Sequence, residues 1–188
     1  MVAAVEAAKK AMALNDVVIE VLDARCPLAS SNPSINGLRA ARQRPALKVI
    51  NKVDAADPLA TAAWLDYFNN QPNTKAIGIS CKKPGDANKV LEAARVLAPT
   101  RNSMIKPMRM MVMGIPNVGK STLINALMKK RTAKVGDEPA VTKLVKRYDL
   151  SNSVFLTDTP GLMWPKIEDV NAGQIGRASC RERVLMPV

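Results

Sequence analysis

The eight residues Gly114 to Ser121, GIPNVGKS, constrain what this 188-residue chain can fold into more than any other stretch. They fit G-x-x-x-x-G-K-[ST], a phosphate-binding loop that requires a strand before it and a helix after it. Both are legible. Met108 to Ile115 is an apolar run that reads as a buried strand, and from Ser121 onward Leu123, Ile124 and Leu127 fall on one face at helical spacing. In such a loop the glycines let backbone N–H groups close around phosphate oxygens at a helix N-terminus. The expected binding residues are Asn117, Val118, Gly119, Lys120, Ser121 and Thr122, with Lys120 reaching the β/γ-phosphates and the Ser121 hydroxyl ligating Mg²⁺. A glycine-rich turn alone need not bind anything; the flanking strand and helix are the context that makes this one a phosphate site.

The base is addressed upstream, in ALKVINKVDAADP. Leu47 to Ile50 reads as another buried strand, ending in Asn51-Lys52-Val53-Asp54. A carboxylate at the mouth of a strand can accept two hydrogen bonds from guanine, whereas adenine offers no such donor pair. Asp54 is therefore the candidate base reader, Lys52 can lay its aliphatic stem over the ring, and Asn51 can tie this loop to the phosphate loop. Taken alone, the same four residues could be a polar turn with Asp54 capping a helix.

Three further loops complete the set. SVFLTDTPG runs from a strand, Val154 to Thr157, into Asp158-Thr159-Pro160-Gly161, where Asp158 can hold Mg²⁺ through a water and the Gly161 N–H can face a γ-phosphate. Thr142 is either a Mg²⁺-ligating switch threonine or the β-branched start of the next strand. In ISCKKPGD, Ser80 ends a strand and Cys81 and Lys82 offer N–H groups toward a base carbonyl; an ordinary turn at Pro84-Gly85 would look the same. DARCP places Asp23 and Arg25 at the end of the first strand, and a structural salt bridge is the preferred reading.

Strands are expected at Val17–Leu22, Leu47–Ile50, Ala76–Ser80, Met108–Ile115, Leu144–Tyr148 and Val154–Thr157. Helices are expected near Val5–Leu14, Ile35–Arg42, Leu59–Asn69, Asn88–Leu97 and Ser121–Lys130. This alternation predicts an α/β fold, a doubly wound, mostly parallel sheet covered on both faces. The linker-like stretch is Ala98 to Pro107.

The motifs DARCP with SSNPSI, NKVD, GIPNVGKSTLIN, AKVGDEPAVT and LTDTPGLMWPKIED together resemble the Ras-like GTPases. Their order, base-reading loop before phosphate loop, is similar to that of the circularly permuted members, in the family of ribosome biogenesis GTPase A and its mitochondrial relatives. Permutation is physically permissible because doubly wound sheets keep ligand loops at the C-terminal ends of parallel strands whatever the chain order. The resemblance implies GTP and GDP as ligands, Mg²⁺ as cofactor, and K⁺ held by Asn117, which could equally be a polar turn residue. It implies GTP hydrolysis with Lys120, Thr142 and Gly161 as the catalytic set. Leu162 stands where Ras-like enzymes carry a water-orienting Gln, so intrinsic turnover is expected to be slow without stimulation. The implied partner is the large ribosomal subunit and its rRNA, contacted by a monomer.

The chain departs from that family at both ends. It contains no histidine, whereas relatives carry a catalytic one in a short segment that would precede Met1. Ile175 to Val184, IGRASCRERV, resembles a reading frame of a DNA-sequencing adapter, with a natural basic helix as the alternative. The expected organisation is a GTPase domain over residues 1–174 and a non-native tail over 175–188, with the family's helical C-terminal domain absent. The competing reading is a truncated fragment that holds guanine nucleotide with little or no hydrolysis. An ATPase or kinase is disfavoured by Asp54.

The net charge of +12 favours nucleic acid as a partner, and without the tail 25 basic and 15 acidic residues leave +10. The basic clusters singled out are Lys129-Lys130-Arg131 with Lys134, and Arg39, Arg42 and Arg44 with Lys48. Two Trp, two Tyr and two Phe argue against base stacking and for phosphate contacts. Three cysteines suggest no disulfide framework, and no apolar stretch approaches the roughly 18 residues of a membrane span. The expected location is the cytoplasm, or alternatively the mitochondrial matrix.

Overall fold

A computed structural model describes residues 10–83, 85–101, 103–129, 146–151 and 153–159. Among the described residues six strands form one sheet: β1 (Val17–Asp23), β2 (Ala46–Asn51), β3 (Thr74–Ile79), β4 (Met108–Met113), β5 (Lys146–Ser151) and β6 (Val154–Asp158). Their order across the sheet is β3-β2-β1-β4-β6-β5. Every neighbouring pair is parallel except β5 with β6. The doubly wound, mostly parallel α/β expectation is met. Periodicity could not show that β5 runs antiparallel, because strand direction is set by the connection to β6 and not by the residues within the strand.

Proline opens three of the described helices, and one of these also has an acidic cap. The helices are α1 (Pro27–Ser30), α2 (Pro33–Ala41), α3 (Pro58–Asn69), α4 (Asp86–Leu97) and α5 (Lys120–Lys129), and residues 10–13 are also helical. In α3, Pro58 occupies the first turn and the Asp57 carboxylate accepts from the Ala60 N–H at 2.8 Å, satisfying a donor the helix itself cannot. Among the described residues no helix is long and apolar enough to cross a membrane.

The central strands of the sheet are buried on both faces. On one, Val17, Ile19, Val21, Leu47 and Val49 join Met108, Met110 and Val112 against Val90 and Ala94 of α4 and Leu123, Ile124 and Leu127 of α5. On the other, the apolar surface is split into two clusters. Met12, Val18, Met111 and Met113 form one, and Leu22, Ile50, Trp64, Phe68 and Ala76 form the other.

Between these two clusters lie Glu20 and Lys48, side by side in register on β1 and β2. The Lys48 ammonium is 2.6 Å from the Glu20 carboxylate, 3.0 Å from Ser31 Oγ and 3.2 Å from Asn36 Oδ1, and it lies 5.1 Å from the Phe68 ring centroid. The second Glu20 oxygen accepts from the Asn32 N–H at 2.7 Å. This corrects the placement of Lys48 in a nucleic-acid-facing cluster: its exposure is 0%. A lone lysine in an apolar run is expensive to bury unless a counter-charge meets it, and that partner sits 28 residues away, out of reach of local pattern reading. Arg39 and Arg44 of the same cluster are also partly structural, donating to the Arg44 and Ala13 carbonyls respectively.

Replacing Lys48 with Met leaves the Glu20 carboxylate buried without its cation. Urea unfolding is expected to show a loss of about 3–5 kcal/mol, the usual cost of breaking a buried pair by removing one partner. An unchanged unfolding midpoint would show that the pair contributes nothing to stability.

Candidate nucleotide-binding site

The parallel strands deliver the predicted residues to one end of the sheet. Asp23 ends β1, Asn51 ends β2, Ser80 follows β3, Gly114 follows β4 and Asp158 ends β6. β1 and β4 are neighbours although they are far apart in sequence, so the crevice where the strand order reverses lies between them. Open α/β sheets bind their ligands in such a crevice.

Asn51 joins three loops. Its Nδ2 donates to the Val118 carbonyl at 2.9 Å, and its Oδ1 accepts from the Cys81 N–H at 3.1 Å. The NKVD loop is thus fastened to the phosphate loop, as the sequence led us to expect of Asn51, and also to the loop after β3. The Cys81 N–H therefore closes its own loop onto Asn51 instead of facing outward, a correction to its expected role. This closeness also accounts for Gly119. A Cβ built there would lie 2.2 Å from Asn51 Nδ2, and the residue sits at φ +98°, so only glycine fits on both counts. Gly114 meets a similar limit, since its Cβ would lie 2.8 Å from the Val21 carbonyl oxygen.

Lys52 reaches in the same direction. Its ammonium donates to the Asn117 carbonyl at 2.8 Å and to Asp23 Oδ2 at 2.8 Å. Asp23 also receives the Arg25 guanidinium in a forked pair, Nε to Oδ1 at 2.9 Å and Nη2 to Oδ2 at 2.8 Å, which is the salt bridge expected of DARCP. Burial pushes the Asp23 carboxyl up, but the hydrogen bonds from Arg25 and Lys52 outweigh it and hold the group below the ordinary carboxylate value. Lys52 and Asn117 both have left-handed backbones, at φ 68° and 67°.

Asp54 stands exposed beyond this contact, 3.5 Å from the Lys82 ammonium. The Ser80 hydroxyl, ahead of its own backbone N–H and Lys82, keeps its carboxyl ionised below the usual range. Ser80 is itself held, because its N–H donates to Asp86 Oδ2 at 3.0 Å. The Cys81 thiol is pushed up to about 11 by burial, then by the charges of Asp86 and Asp54, so it is neutral at pH 7.

On the phosphate side, Val118 is buried in the core, Lys120 is buried at the start of α5, and Ser121 and Thr122 are exposed in its first turn. Asp158 is buried and pairs in register with Val112, just before the phosphate loop. Thr159, next after β6, is itself fastened to β4, its hydroxyl donating to the Val112 carbonyl at 2.8 Å. Ser121 and Asp158 give a hydroxyl and a carboxylate, hard oxygen donors. Among the described residues no group of three or more His, Cys, Asp or Glu side chains could hold a metal. Few protein oxygens suit Mg²⁺, which keeps waters and substrate phosphates in its shell. Thr142, Gly161 and the tail from 175 lie outside the described residues, as do Lys130, Arg131 and Lys134.

Two contributors escaped the sequence reading, Asp86 and Thr159. Each had a local signal: Asp86 follows a glycine at a helix start, and Thr159 lies inside the D-x-x-G loop itself.

A family model described as "50S ribosome-binding GTPase" matches residues 109–185. Ribosome biogenesis GTPase A of Bacillus cereus is 41% identical over 167 residues, covering 85% of this chain and 55% of the relative. Its counterpart in Priestia megaterium is 39% identical, covering 85% and 57%. Mitochondrial ribosome-associated GTPase 1 of Mus musculus is 35% identical, covering 84% and 52%. The chain thus spans little more than half the length of these curated relatives. Among solved structures, the GDP-bound structure of TM YlqF superposes with a TM-score of 0.63 at 29% identity, covering 89% of this chain and 63% of that one. YjeQ from Thermotoga maritima, at 21% identity and a TM-score of 0.54, shares the fold. The NKVD loop precedes the phosphate loop in the chain and meets it in space on a P-loop GTPase fold, and over most of its length the chain is similar to ribosome biogenesis GTPase A and the mitochondrial ribosome-associated GTPases.

Proposed function

We propose that this chain binds GTP and GDP and hydrolyses GTP in the assembly of the large ribosomal subunit. The observation that carries the reading is the Asn51 bridge, which ties the loop suited to read guanine to the loop suited to hold phosphate. The names of the relatives, ribosome biogenesis and ribosome-associated GTPases, supply the cellular setting.

In this reading the Asp54 carboxylate accepts from the guanine edge, the Lys52 stem covers the ring and the Lys82 N–H meets the base carbonyl. Lys52 and Asn51 hold two consecutive phosphate-loop carbonyls, those of Asn117 and Val118, away from the ligand. Amides of the loop from Asn117 to Thr122 then face the phosphates, at the positive end of α5. Lys120 stabilises negative charge on the transferring phosphoryl oxygens. Ser121, Asp158 and Thr142 would hold Mg²⁺, which when bound neutralises charge on the β- and γ-phosphate oxygens. Gly161 presents its N–H to the γ-phosphate. Leu162 cannot orient water, so turnover depends on a group supplied from outside, and Asn117 is the residue suited to hold a stimulating K⁺.

Residues 1–174 form the GTPase domain, acting as a monomer in the cytoplasm or the mitochondrial matrix, and 175–188 are a non-native tail. Lys48 is buried, so phosphate contact with rRNA falls to exposed cations such as Arg42 and to the Lys129–Lys134 region.

Phosphate release from GTP should rise when large ribosomal subunits are added in K⁺ buffer and fall back when Na⁺ replaces K⁺; equal rates in all three conditions would refute the assembly-factor reading. Asp54→Asn should weaken GDP binding on the order of 100-fold, the loss of two charge-assisted hydrogen bonds, and favour xanthosine diphosphate in competition. Retained guanine selectivity would show that Asp54 does not read the base. Lys120→Ala should lower stimulated kcat by about 100-fold or more, while the far-ultraviolet circular dichroism stays unchanged.

A further inference from the structure

Two cations converge on the Asp23 carboxylate, and only one of them needs it for local structure. Arg25, two residues away, already satisfies both oxygens with a fork and adds its own backbone N–H to Oδ1 at 3.1 Å. Lys52 comes from the neighbouring strand, 29 residues distant, and still turns inward to within 2.8 Å of Oδ2. A lysine stem at a strand end is flexible, and ordering it costs rotamer entropy, so a partner must hold it. The second atom Lys52 meets shows what the ordering achieves, for it is the Asn117 carbonyl of the phosphate loop, also at 2.8 Å.

The support for Asp23 is rigid. Its side chain is 7% exposed, and its own N–H donates to Ser30 Oγ at 2.9 Å. Ser30 Oγ in turn donates to the Cys26 carbonyl at 2.8 Å. β1 and β2 are in register there, Asp23 opposite Asn51, so the carboxylate lies beside the residue that precedes Lys52. Two cations sharing one carboxylate leave a net positive charge in the crevice, which suits a polyphosphate ligand.

We propose that Asp23 is a positioning residue for nucleotide recognition: its carboxylate holds the Lys52 ammonium against the Asn117 carbonyl, coupling the base-reading loop to the phosphate loop. The proposal rests on the guanine-nucleotide reading given above. Asp23 does not touch the ligand and acts only through Lys52, which makes the idea separable from a plain fold-stabilising salt bridge.

The test is a double-mutant cycle read by titration with a fluorescent N-methylanthraniloyl-GDP, with thermal melting recorded for every variant. Asp23→Asn should bind about tenfold more weakly than wild type, the loss of one charge-assisted hydrogen bond. Asp23→Ser, which keeps an acceptor for the Arg25 N–H, serves the same purpose should the Asn variant fail to fold. In a Lys52→Met background, where no ammonium remains to be positioned, the same change at 23 should alter Kd by less than about twofold. Additive losses, or a lower melting temperature with Kd unchanged, would overturn the proposal and leave Asp23 a structural residue only. A wild-type chain that does not bind the GDP probe at all would overturn the guanine-nucleotide reading together with this one.

Discussion

The site depends on one carboxamide. Asn51 is the one residue in its loop whose side chain both donates and accepts through separate atoms, and the structure uses both ends. An aspartate there could accept from Cys81 but would set a negative charge against the Val118 carbonyl, and a lysine could donate but not accept. A buried amide satisfied at both ends fixes the distance between two loops that are remote in sequence. It also dictates its neighbour, because Gly119 has space for a hydrogen and for nothing larger.

Behind that contact lies a connected set of polar groups inside the sheet. Glu20 and Lys48 pin Ser31, Asn32 and Asn36 onto one face. Ser30, next in the chain, holds the Asp23 backbone, and Asp23 holds Lys52. Such burial is costly for each group alone and tolerable only when all are satisfied together. The segment between β1 and α2 is thereby set by specific hydrogen bonds, where an apolar contact would have allowed sliding.

The permuted order of motifs is reconciled with the fold by geometry. In a parallel sheet every strand ends on the same side, so loops meet by lateral strand order and not by order along the chain. β1 and β2 bring their loops to β4 because β1 lies between them, sharing edges with both. Permutation moves the chain termini and leaves the crevice in place.

The strands and helices could be read from residue patterns because burial on both faces of a parallel sheet leaves long apolar runs, and the caps and glycines that end them act locally. The phosphate loop, the NKVD loop and the Asp23–Arg25 pair were likewise written in short segments whose chemistry is self-contained. What the pattern could not carry was any relation across the sheet. Lys48 looks like a surface cation until Glu20 is placed beside it, and the Cys81 amide looks available until Asn51 takes it. The reach of Lys52 to Asp23 and Asn117, and the reversed direction of β5, are of the same kind. Sequence alone determined which local elements form and which chemical groups they offer, because those depend on near neighbours. Tertiary structure alone decided which groups are paired, since a buried charge or amide takes its partner from whichever strand lies alongside, and strand order is a property of the whole sheet.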